Sequence, residues 1–178
     1  MKKEISEKIE IPAGLEVDID GSRIKIKKEG KESVREYCGF EIKKEDNFIV
    51  LHHKKATKKE KKLIKTTKAH IKNIILGFEK KFVYKLKICS VHFPMNVSID
   101  KAKNEIIVKN FLGEVKPRVA RIVRGAEVKI EKDTIIVESQ NNETAGQTAA
   151  NIEGAVKINN RDRRTFQDGI YITEKPEY

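Results

Sequence analysis

The first part of the chain alternates apolar and polar residues in short stretches that are typical of β-strands. Two turn-forming pairs, Asp20-Gly21 and Asp46-Asn47, separate these stretches as they would in β-hairpins. The alternation predicts four strands, at LEVDID (15–20), RIKIKKE (23–29), FEIKKE (40–45) and FIVLHH (48–53).

The alternation gives way to a helical period in ATKKEKKLIKTTKAHIKNIILG (56–77). Residues suited to one helix face recur there at Leu63, Ile64, Thr67, Ile71, Ile74 and Ile75. This spacing predicts an amphipathic helix whose outer face is covered by lysines. Gly77 is expected to mark its end, because glycine commonly terminates a helix.

The same order of patterns begins again after the strand-like run FVYKLKICSVHF (82–93). Three pairs of strings relate the halves: Ile11-Pro12 and Phe93-Pro94, RIKIK before Gly30 and EIIVK before Gly113, and EDNFIVL and EKDTIIV. A second helical pattern follows at residues 143–157, with Asn142 as the expected N-cap. The second half is therefore a divergent copy of the first.

Each copy holds about four predicted strands and one helix, and short hairpins favour antiparallel pairing. The predicted class is α+β, with two tandem, duplicated domains that each pack a small, mostly antiparallel sheet with one helix. Residues 1–81 form the N-terminal repeat in this prediction, and residues 82–178 form the C-terminal repeat.

The charge of the chain predicts an anionic partner. Its 38 Lys and Arg against 27 Asp and Glu leave a formal net charge of +11, and phosphate backbones and acidic membranes are the common partners of such an excess. No apolar run approaches the roughly 20 residues of a membrane span. The first residues, MKKEISEKIEIPAG, lack the apolar stretch of a signal peptide. We therefore expect a cytoplasmic protein that does not bind membranes.

The motifs of common enzyme classes are absent from the sequence. No Gly-Lys-Ser/Thr loop with an upstream glycine is present to cradle a nucleotide. Cys89 and His92 have the spacing of metal ligands, but on one strand they would point to opposite faces. Ser90, beside them, lacks the strained elbow of a nucleophile. We expect no enzyme, no metal and no cofactor.

Three basic stretches are candidates for phosphate contact. The first, KKATKKEKKLIKTTK (54–68), has eight lysines in fifteen positions and predicts either a solvated helix face or a phosphate-binding one. The second is GEVKPRVARIVRG (113–125), in which Pro117 suits an edge strand. Its basic residues, which could equally serve solubility, are Lys116, Arg118, Arg121 and Arg124.

The third basic stretch, RDRRTFQDGIY (161–171), follows the second predicted helix directly. Its cations, with Lys157, could simply complement the negative end of that helix. Alternatively, Arg161, Arg163 and Arg164 could make bidentate phosphate contacts from a folded anchor. That anchor would consist of Phe166, Ile170 and Tyr171, with a turn at Asp168 and Gly169.

Several strings resemble the family of large-subunit ribosomal protein L6, in its archaeal and eukaryotic form. The longest are HIKNIILGFEKKFVYKLKICSVHFP (70–94), IIVKNFLGE (106–114) and ETAGQTAANIEGAVKINNRDRRTFQDGIYI (143–172). The intact Gln-Thr-Ala-Ala at 147–150 and the double arginine are more like the archaeal form. One departure is Lys81, which stands where the family usually has the second glycine of a Gly-Val-Thr-x-Gly-Phe turn.

The resemblance implies a structural protein of the large ribosomal subunit. Such a protein binds large-subunit ribosomal RNA through its C-terminal domain, near the sarcin–ricin loop and the stalk base, beside neighbouring ribosomal proteins and where translational GTPases dock. The candidate RNA-binding residues are Lys65, Lys68, Lys72, Lys116, Arg118, Arg121, Lys157, Arg161, Arg163, Arg164, Gly169 and Tyr171.

Two other functions fit parts of the sequence. One is a non-ribosomal protein-interaction module whose sheet edges take partner strands, with the basic charge serving only solubility. The other is a small RNA-modifying enzyme, which the missing cofactor loop and catalytic set disfavour.

Overall fold

The structure is a computed structural model of the chain, and it describes residues 3–28, 30–162 and 164–177. The chain divides into two compact units, Met1–Glu79 and Lys80–Tyr178. The strands pair antiparallel throughout the described residues. The predicted α+β class is therefore confirmed.

The first unit contains six strands and one helix among its described residues. They are β1 (Lys3–Glu10), β2 (Glu16–Asp20), β3 (Arg23–Lys28), β4 (Lys31–Glu36), β5 (Glu41–Glu45), β6 (Phe48–Ala56) and α1 (Lys58–Glu79). The strands form two sheets, in the orders β1-β6-β5 and β2-β3-β4. Helix α1 packs against β1, β6 and β3.

The core of the first unit forms because each element buries one face. On α1 the fully buried isoleucines are Ile64 and Ile71, which are seven positions, or about two turns, apart. They meet Ile24 and Ile26 of β3, which alternate inward at the strand period of two, and Leu51 of β6. Burying one such side chain contributes about 1.5–3 kcal/mol.

The second unit contains seven strands, one α-helix and one 3₁₀ turn among its described residues. They are β7 (Phe82–Cys89), β8 (Asn96–Asp100), β9 (Glu105–Lys109), the 3₁₀ turn (Phe111–Gly113), β10 (Arg118–Arg121), β11 (Glu127–Glu131), β12 (Thr134–Ser139), α2 (Asn142–Ala155) and β13 (Gly169–Glu174). The sheet orders are β10-β9-β8 and β11-β12-β7-β13. Helix α2 contacts β7, β10, β12 and β13.

The two units share one topology, which confirms the duplication. In each, the first strand pairs with the strand that precedes the helix: β1 with β6 and β7 with β12. In each, the next three strands form a sheet of their own. Strand β13, which pairs with β7, is the addition that distinguishes the second unit.

The number of strands was underestimated, at about four in each copy. Strand β1 (KEISEKIE) was missed because charged residues separate its isoleucines, and β4 (KESVRE) because its side chains are largely exposed. Such polar strands take their place from backbone pairing with a neighbour rather than from their own apolar content. The run at residues 82–93 was also too long, since β7 ends at Cys89.

The end of α1 and the start of α2 each differ from the prediction by one or two residues. The prediction that Gly77 ends α1 was wrong: the helix continues to Glu79, and Gly77 is a buried residue within it. Helix α2 begins with Asn141 as its N-cap, rather than Asn142. The Asn141 Oδ1 accepts a hydrogen bond from the Glu143 N–H at 3.0 Å. This is the usual way in which an asparagine satisfies a free N–H at a helix start.

Candidate nucleic-acid interface

The third basic stretch lies on the connection between α2 and β13. Residues 157–168 of this connection are called here the basic segment. Lys157, Arg161 and Arg164 are exposed, and the Arg164 side chain is 91% exposed. Arg163 lies outside the described residues. The segment thus presents cations to solvent next to a folded core.

Asp162 shapes the basic segment by accepting hydrogen bonds from it. Its Oδ1 accepts from the Arg164 N–H at 2.9 Å, and its carbonyl accepts from Thr165 at 3.1 Å and Phe166 at 2.9 Å. The hydrogen bond from the Arg164 backbone, followed by that from its guanidinium, lowers the pKa of Asp162. The turn therefore lies at Arg164 and Thr165, and the prediction of a turn at Asp168 and Gly169 was wrong.

The predicted anchor of the segment is only partly present. Ile170 is buried at 1% exposure, and Phe166 packs against the second core. Tyr171 is 42% exposed, so it holds the segment not from the core but through its hydroxyl, which donates to the carbonyls of Gln167 at 3.4 Å and Asp168 at 3.3 Å. Its ring lies against Gly169, where an added Cβ would stand 3.0 Å from the Tyr171 Cζ and hydroxyl. Any side chain at position 169 would displace that ring.

Asp168 takes the place of Tyr171 as a buried anchor. It is 1% exposed, and its carboxylate accepts from the Val91 N–H at 2.7 Å and the His92 N–H at 3.0 Å. The His92 Nδ1 completes the set at 2.6 Å. Burial raises the pKa of Asp168, but these hydrogen bonds together outweigh burial and leave the pKa lowered. The ionised carboxylate thus ties residues 91–92 to the start of β13.

The ring of Phe166 is stacked between two other groups. The His92 ring lies 4.9 Å away between centroids, with 29° between the planes. The Arg161 guanidinium carbon lies 4.9 Å from the centroid of the same ring. Strand β7 ends at Cys89, so His92 lies beyond it, and the assumption that the two residues share a strand was wrong. The His92 side chain instead contacts Asp168 and Phe166.

Arg118 differs from the other described RNA-binding candidates among the arginines because most of its guanidinium donors are used within the chain. Its Nε and Nη2 donate to the Glu114 carboxylate at 2.8 and 2.7 Å, and its Nη1 donates to the carbonyls of Ala155 at 3.1 Å and Lys157 at 3.0 Å. The Phe111 ring lies under the guanidinium at 4.2 Å. Four of the five N–H donors are thus used.

This engagement closes the end of α2. The last carbonyls of a helix have no partner within it, and Arg118 supplies one to Ala155 and to Lys157 just beyond. The hydrogen bond from Arg118 lowers the pKa of Glu114, and the nearby Arg161 adds to that effect. Arg118 therefore lies at the base of the basic segment and fixes its starting point.

Two other predicted residues of the second unit, which flank Arg118 in the sequence, are exposed. Lys116 lies in the loop before β10, and Arg121 lies at the end of β10. Strand β10 is at the edge of its sheet, as predicted from Pro117. In the described part of the chain, neither side chain forms an ion pair or hydrogen bond. Both cations are free to contact an anion.

The lysines of the first unit lie on the outer face of α1. Lys65 and Lys72 are exposed. Lys68 is half-buried and forms an ion pair with Glu7, and the hydrogen bond in that pair lowers the pKa of Glu7. The three predicted lysines are therefore not equivalent, because Lys68 already has an intrachain partner.

Lys81 occupies the position of the family glycine without backbone strain. It is not among the described residues with a positive φ. Its ammonium lies 3.1 Å from Glu127 and 3.8 Å from Glu138, both within the second unit. The backbone there does not need glycine, and the lysine gains two carboxylate partners.

The described residues contain no group of three or more His, Cys, Asp or Glu side chains that could hold a metal ion. They also contain no helix long and apolar enough to cross a membrane.

Sequence reasoning missed the role of His92 and assigned Asp168 to a turn. The two residues are 76 positions apart, and no local pattern links them. Their pairing follows from the place of β13 beside β7 in the sheet.

Comparison with known proteins identifies relatives along almost the whole chain. The family model for ribosomal protein L6 matches residues 93–169. The large ribosomal subunit protein uL6 of Methanococcus vannielii is 43% identical over 173 residues, covering 96% of this chain and 94% of that protein. The proteins of the same name from Desulfurococcus amylolyticus and Sulfurisphaera tokodaii are 40% and 44% identical. They cover 97% and 95% of this chain, and 96% and 91% of their own lengths.

The aligned regions cover at least 95% of this chain, and the fold has the expected duplicated units. Identities of 40–44% over nearly the full length of the chain are sufficient to show the family. The chain therefore belongs to the ribosomal protein L6 family, in its archaeal type.

Proposed function

We propose that this chain is a structural, non-catalytic constituent of the large ribosomal subunit. The observation that carries the proposal is its family membership, since each relative described above is itself named a large ribosomal subunit protein. In this role the protein works in the cytoplasm, within the ribosome, and requires no cofactor or small-molecule substrate.

The proposed partner is large-subunit ribosomal RNA, bound mainly by the second unit. A net charge of +11 favours a polyanion. The basic segment also favours specific phosphate binding, because arginines beside a buried anchor can hold phosphates in a fixed arrangement. The proposed contacts are Lys116, Arg121, Lys157, Arg161, Arg163 and Arg164, with Gly169 and Tyr171 beside them.

The other predicted residues have secondary places in this proposal. Arg118 serves the RNA surface indirectly, because its donors hold the end of α2. Lys65 and Lys72 are exposed on α1 and would add non-specific phosphate contacts. Lys68 would contribute less, since it is paired with Glu7.

The proposed location on the subunit is near the sarcin–ricin loop and the stalk base. This is the location that the family resemblance implies. There the protein would lie beside neighbouring large-subunit proteins and support the region where translation factors bind. A nuclease footprint of the protein on large-subunit RNA tests the location. Protection confined to RNA regions away from the sarcin–ricin loop and the stalk base would contradict it.

RNA binding itself is tested by its salt dependence. If six cations each neutralise one phosphate, log K should fall against log salt with a slope of about −4 to −5. Between 50 and 200 mM salt the affinity should then fall by about a thousandfold. The measurement is a titration of a large-subunit RNA fragment with the folded protein. Binding that does not change with salt would exclude the proposal.

A charge reversal separates the RNA-binding protein from a protein-interaction module. Replacing Arg161, Arg163 and Arg164 by Glu removes charged hydrogen bonds, each of which contributes about 1.5–3 kcal/mol. The RNA-binding protein should then no longer co-sediment with the large subunit. A module that uses its sheet edges would keep its partner, since Arg161 and Arg164 lie outside the strands.

A further inference from the structure

A continuous series of contacts leads from a buried carboxylate to an exposed arginine in the second unit. Asp168 is buried and holds the His92 Nδ1 at 2.6 Å. The His92 ring stacks on Phe166 at 4.9 Å. The Phe166 ring then carries the guanidinium of Arg161 at 4.9 Å. These four residues are called here the Asp168–Arg161 stack.

The inner end of the stack is rigid. Two backbone N–H groups and one ring nitrogen share the Asp168 carboxylate, so neither its rotamer nor residues 91–92 can change without breaking several hydrogen bonds. Phe166 also packs against the second core, and its N–H is bonded to the Asp162 carbonyl at 2.9 Å. The aromatic layers thus have fixed positions.

The outer end of the stack reaches solvent. The His92 side chain is 34% exposed, and Arg161 is exposed. An arginine over an aromatic ring keeps its N–H donors free in the plane of the guanidinium. Its orientation is restricted while its donors stay available, which is the condition for a bidentate phosphate contact.

Two nearby arginines provide a contrast. Arg118 also lies over a phenylalanine, but Glu114 and two carbonyls use four of its donors. The Arg164 side chain is 91% exposed, and within the described part of the chain its guanidinium pairs with Asp162 alone. Among the described arginines of this surface, Arg161 combines a fixed aromatic support with unused donors.

We propose that Asp168 and His92 are positioning residues of the RNA surface, which hold Phe166 so that it presents the Arg161 guanidinium to a phosphate. This inference rests on the proposed function, because it assigns the way in which that same surface is ordered before RNA binds. Ordering a side chain in advance increases affinity, since less conformational freedom is lost on binding.

The stack is tested first in the free protein by NMR. The Phe166 ring current should shift the signals of the Arg161 side-chain protons. Phe166→Leu should abolish that shift while keeping an apolar side chain in the core. His92→Ala should reduce it, and His92→Phe, which keeps a ring over Phe166, should restore most of it. Arg161 signals that are the same in all four proteins would overturn the stack.

The link to RNA is tested by a double-mutant cycle with a large-subunit RNA fragment. Arg161→Ala should lower the affinity by about tenfold or more and reduce the salt slope by about 0.7–0.9. Phe166→Leu alone should lower the affinity by about two- to fivefold. In the Arg161→Ala background, Phe166→Leu should have almost no effect.

Arg164→Ala is the matched control, because it removes an exposed arginine of the same segment that does not contact Phe166. In that background Phe166→Leu should keep its full effect. His92→Ala and Asp168→Asn should behave like Phe166→Leu in both cycles. All variants are measured at a temperature at which circular dichroism shows them to be folded.

The outcomes distinguish this inference from the proposed function. Equal losses from Phe166→Leu in the wild-type and Arg161→Ala backgrounds, with salt-dependent binding intact, would overturn the positioning role alone. No RNA binding by the wild-type protein would overturn the proposed function, and the positioning role with it. Coupling to Arg161 but not to Arg164 would establish the role.

Discussion

Arg118→Ala is expected to destabilise the second unit by about 2–4 kcal/mol, although the residue lies at the surface. The Arg118 side chain is only 24% exposed, and its guanidinium makes four hydrogen bonds and one ring contact. The substitution removes all of them and leaves the carbonyls of Ala155 and Lys157 without this donor.

The magnitude follows from the individual contacts. The ion pair with Glu114, which is 41% exposed, contributes about 0.5–1 kcal/mol at such an exposure. The contact with the Phe111 ring adds about 0.5–1 kcal/mol. Each carbonyl hydrogen bond adds about 0.5–1.5 kcal/mol. Neighbouring contacts are not additive, so the expected total of about 2–4 kcal/mol lies in the lower part of the summed range of about 2–5 kcal/mol.

The assay is urea unfolding followed by far-UV circular dichroism, with amide hydrogen exchange in α2 to identify the second unit. With a slope of about 2 kcal/mol per molar urea, the midpoint should fall by about 1–2 M. Arg121→Ala is the control, because Arg121 lies on the same strand but is exposed. Its effect should stay within about 0.5 kcal/mol. Equal effects of the two substitutions would refute the reasoning.

Three further predictions concern stability and ionisation. Gly154→Ala should stabilise α2 by about 0.5–1 kcal/mol, because an added Cβ there meets nothing within 4 Å. Gly146→Ala should not give this gain, because its Cβ would stand 3.0 Å from the Tyr84 hydroxyl. Thermal unfolding of the two variants measures the difference. The lowered pKa of Asp168 means that its carboxylate stabilises the fold above its ordinary value of 3.8, and that this contribution is lost as pH falls through the lower folded value. Acid unfolding should therefore be less steep in Asp168→Asn, and identical profiles would contradict this assignment. The hydrogen bonds at the start of α1 lower the pKa of Glu60 to about 2, which carboxyl NMR titration measures directly; an ordinary value would show that those hydrogen bonds are absent in solution.

The elements that bury one face could be predicted from the sequence. In α1 the helical spacing identified Ile64 and Ile71, both fully buried. In β3 the alternation identified Ile24 and Ile26. Burial on one face produces a period of two in a strand and 3.6 in a helix, and this period can be read locally.

The elements that bury little could not be predicted in the same way. Strand β4 is mostly exposed and pairs with β3 through its backbone, which leaves no apolar period. The end of α1 also depends on packing, because Gly77 is buried inside the helix. A local propensity of about 1 kcal/mol against glycine is easily outweighed by the burial of Gly77 and the packing of Phe78 against the first core.

The candidate site was likewise predicted only in part from the sequence. Its charges and its place after α2 were visible in the sequence. The division of labour among its arginines was not, because Arg118 and Arg121 look alike in the string RVAR, and only the first is tied to Glu114 and to the end of α2.

The sequence by itself determined the duplicated α+β architecture and the basic charge, because these depend on local periodicity and on composition, and its specific strings carried the resemblance to the family. Only the tertiary structure decided which cations are free and what holds them. Asp168 and His92 are 76 positions apart, and Arg118 and Ala155 are 37 apart. Such pairs meet only after β13 has joined β7 and α2 has packed on the sheet, since hydrogen bonds and ring contacts act over a few ångströms.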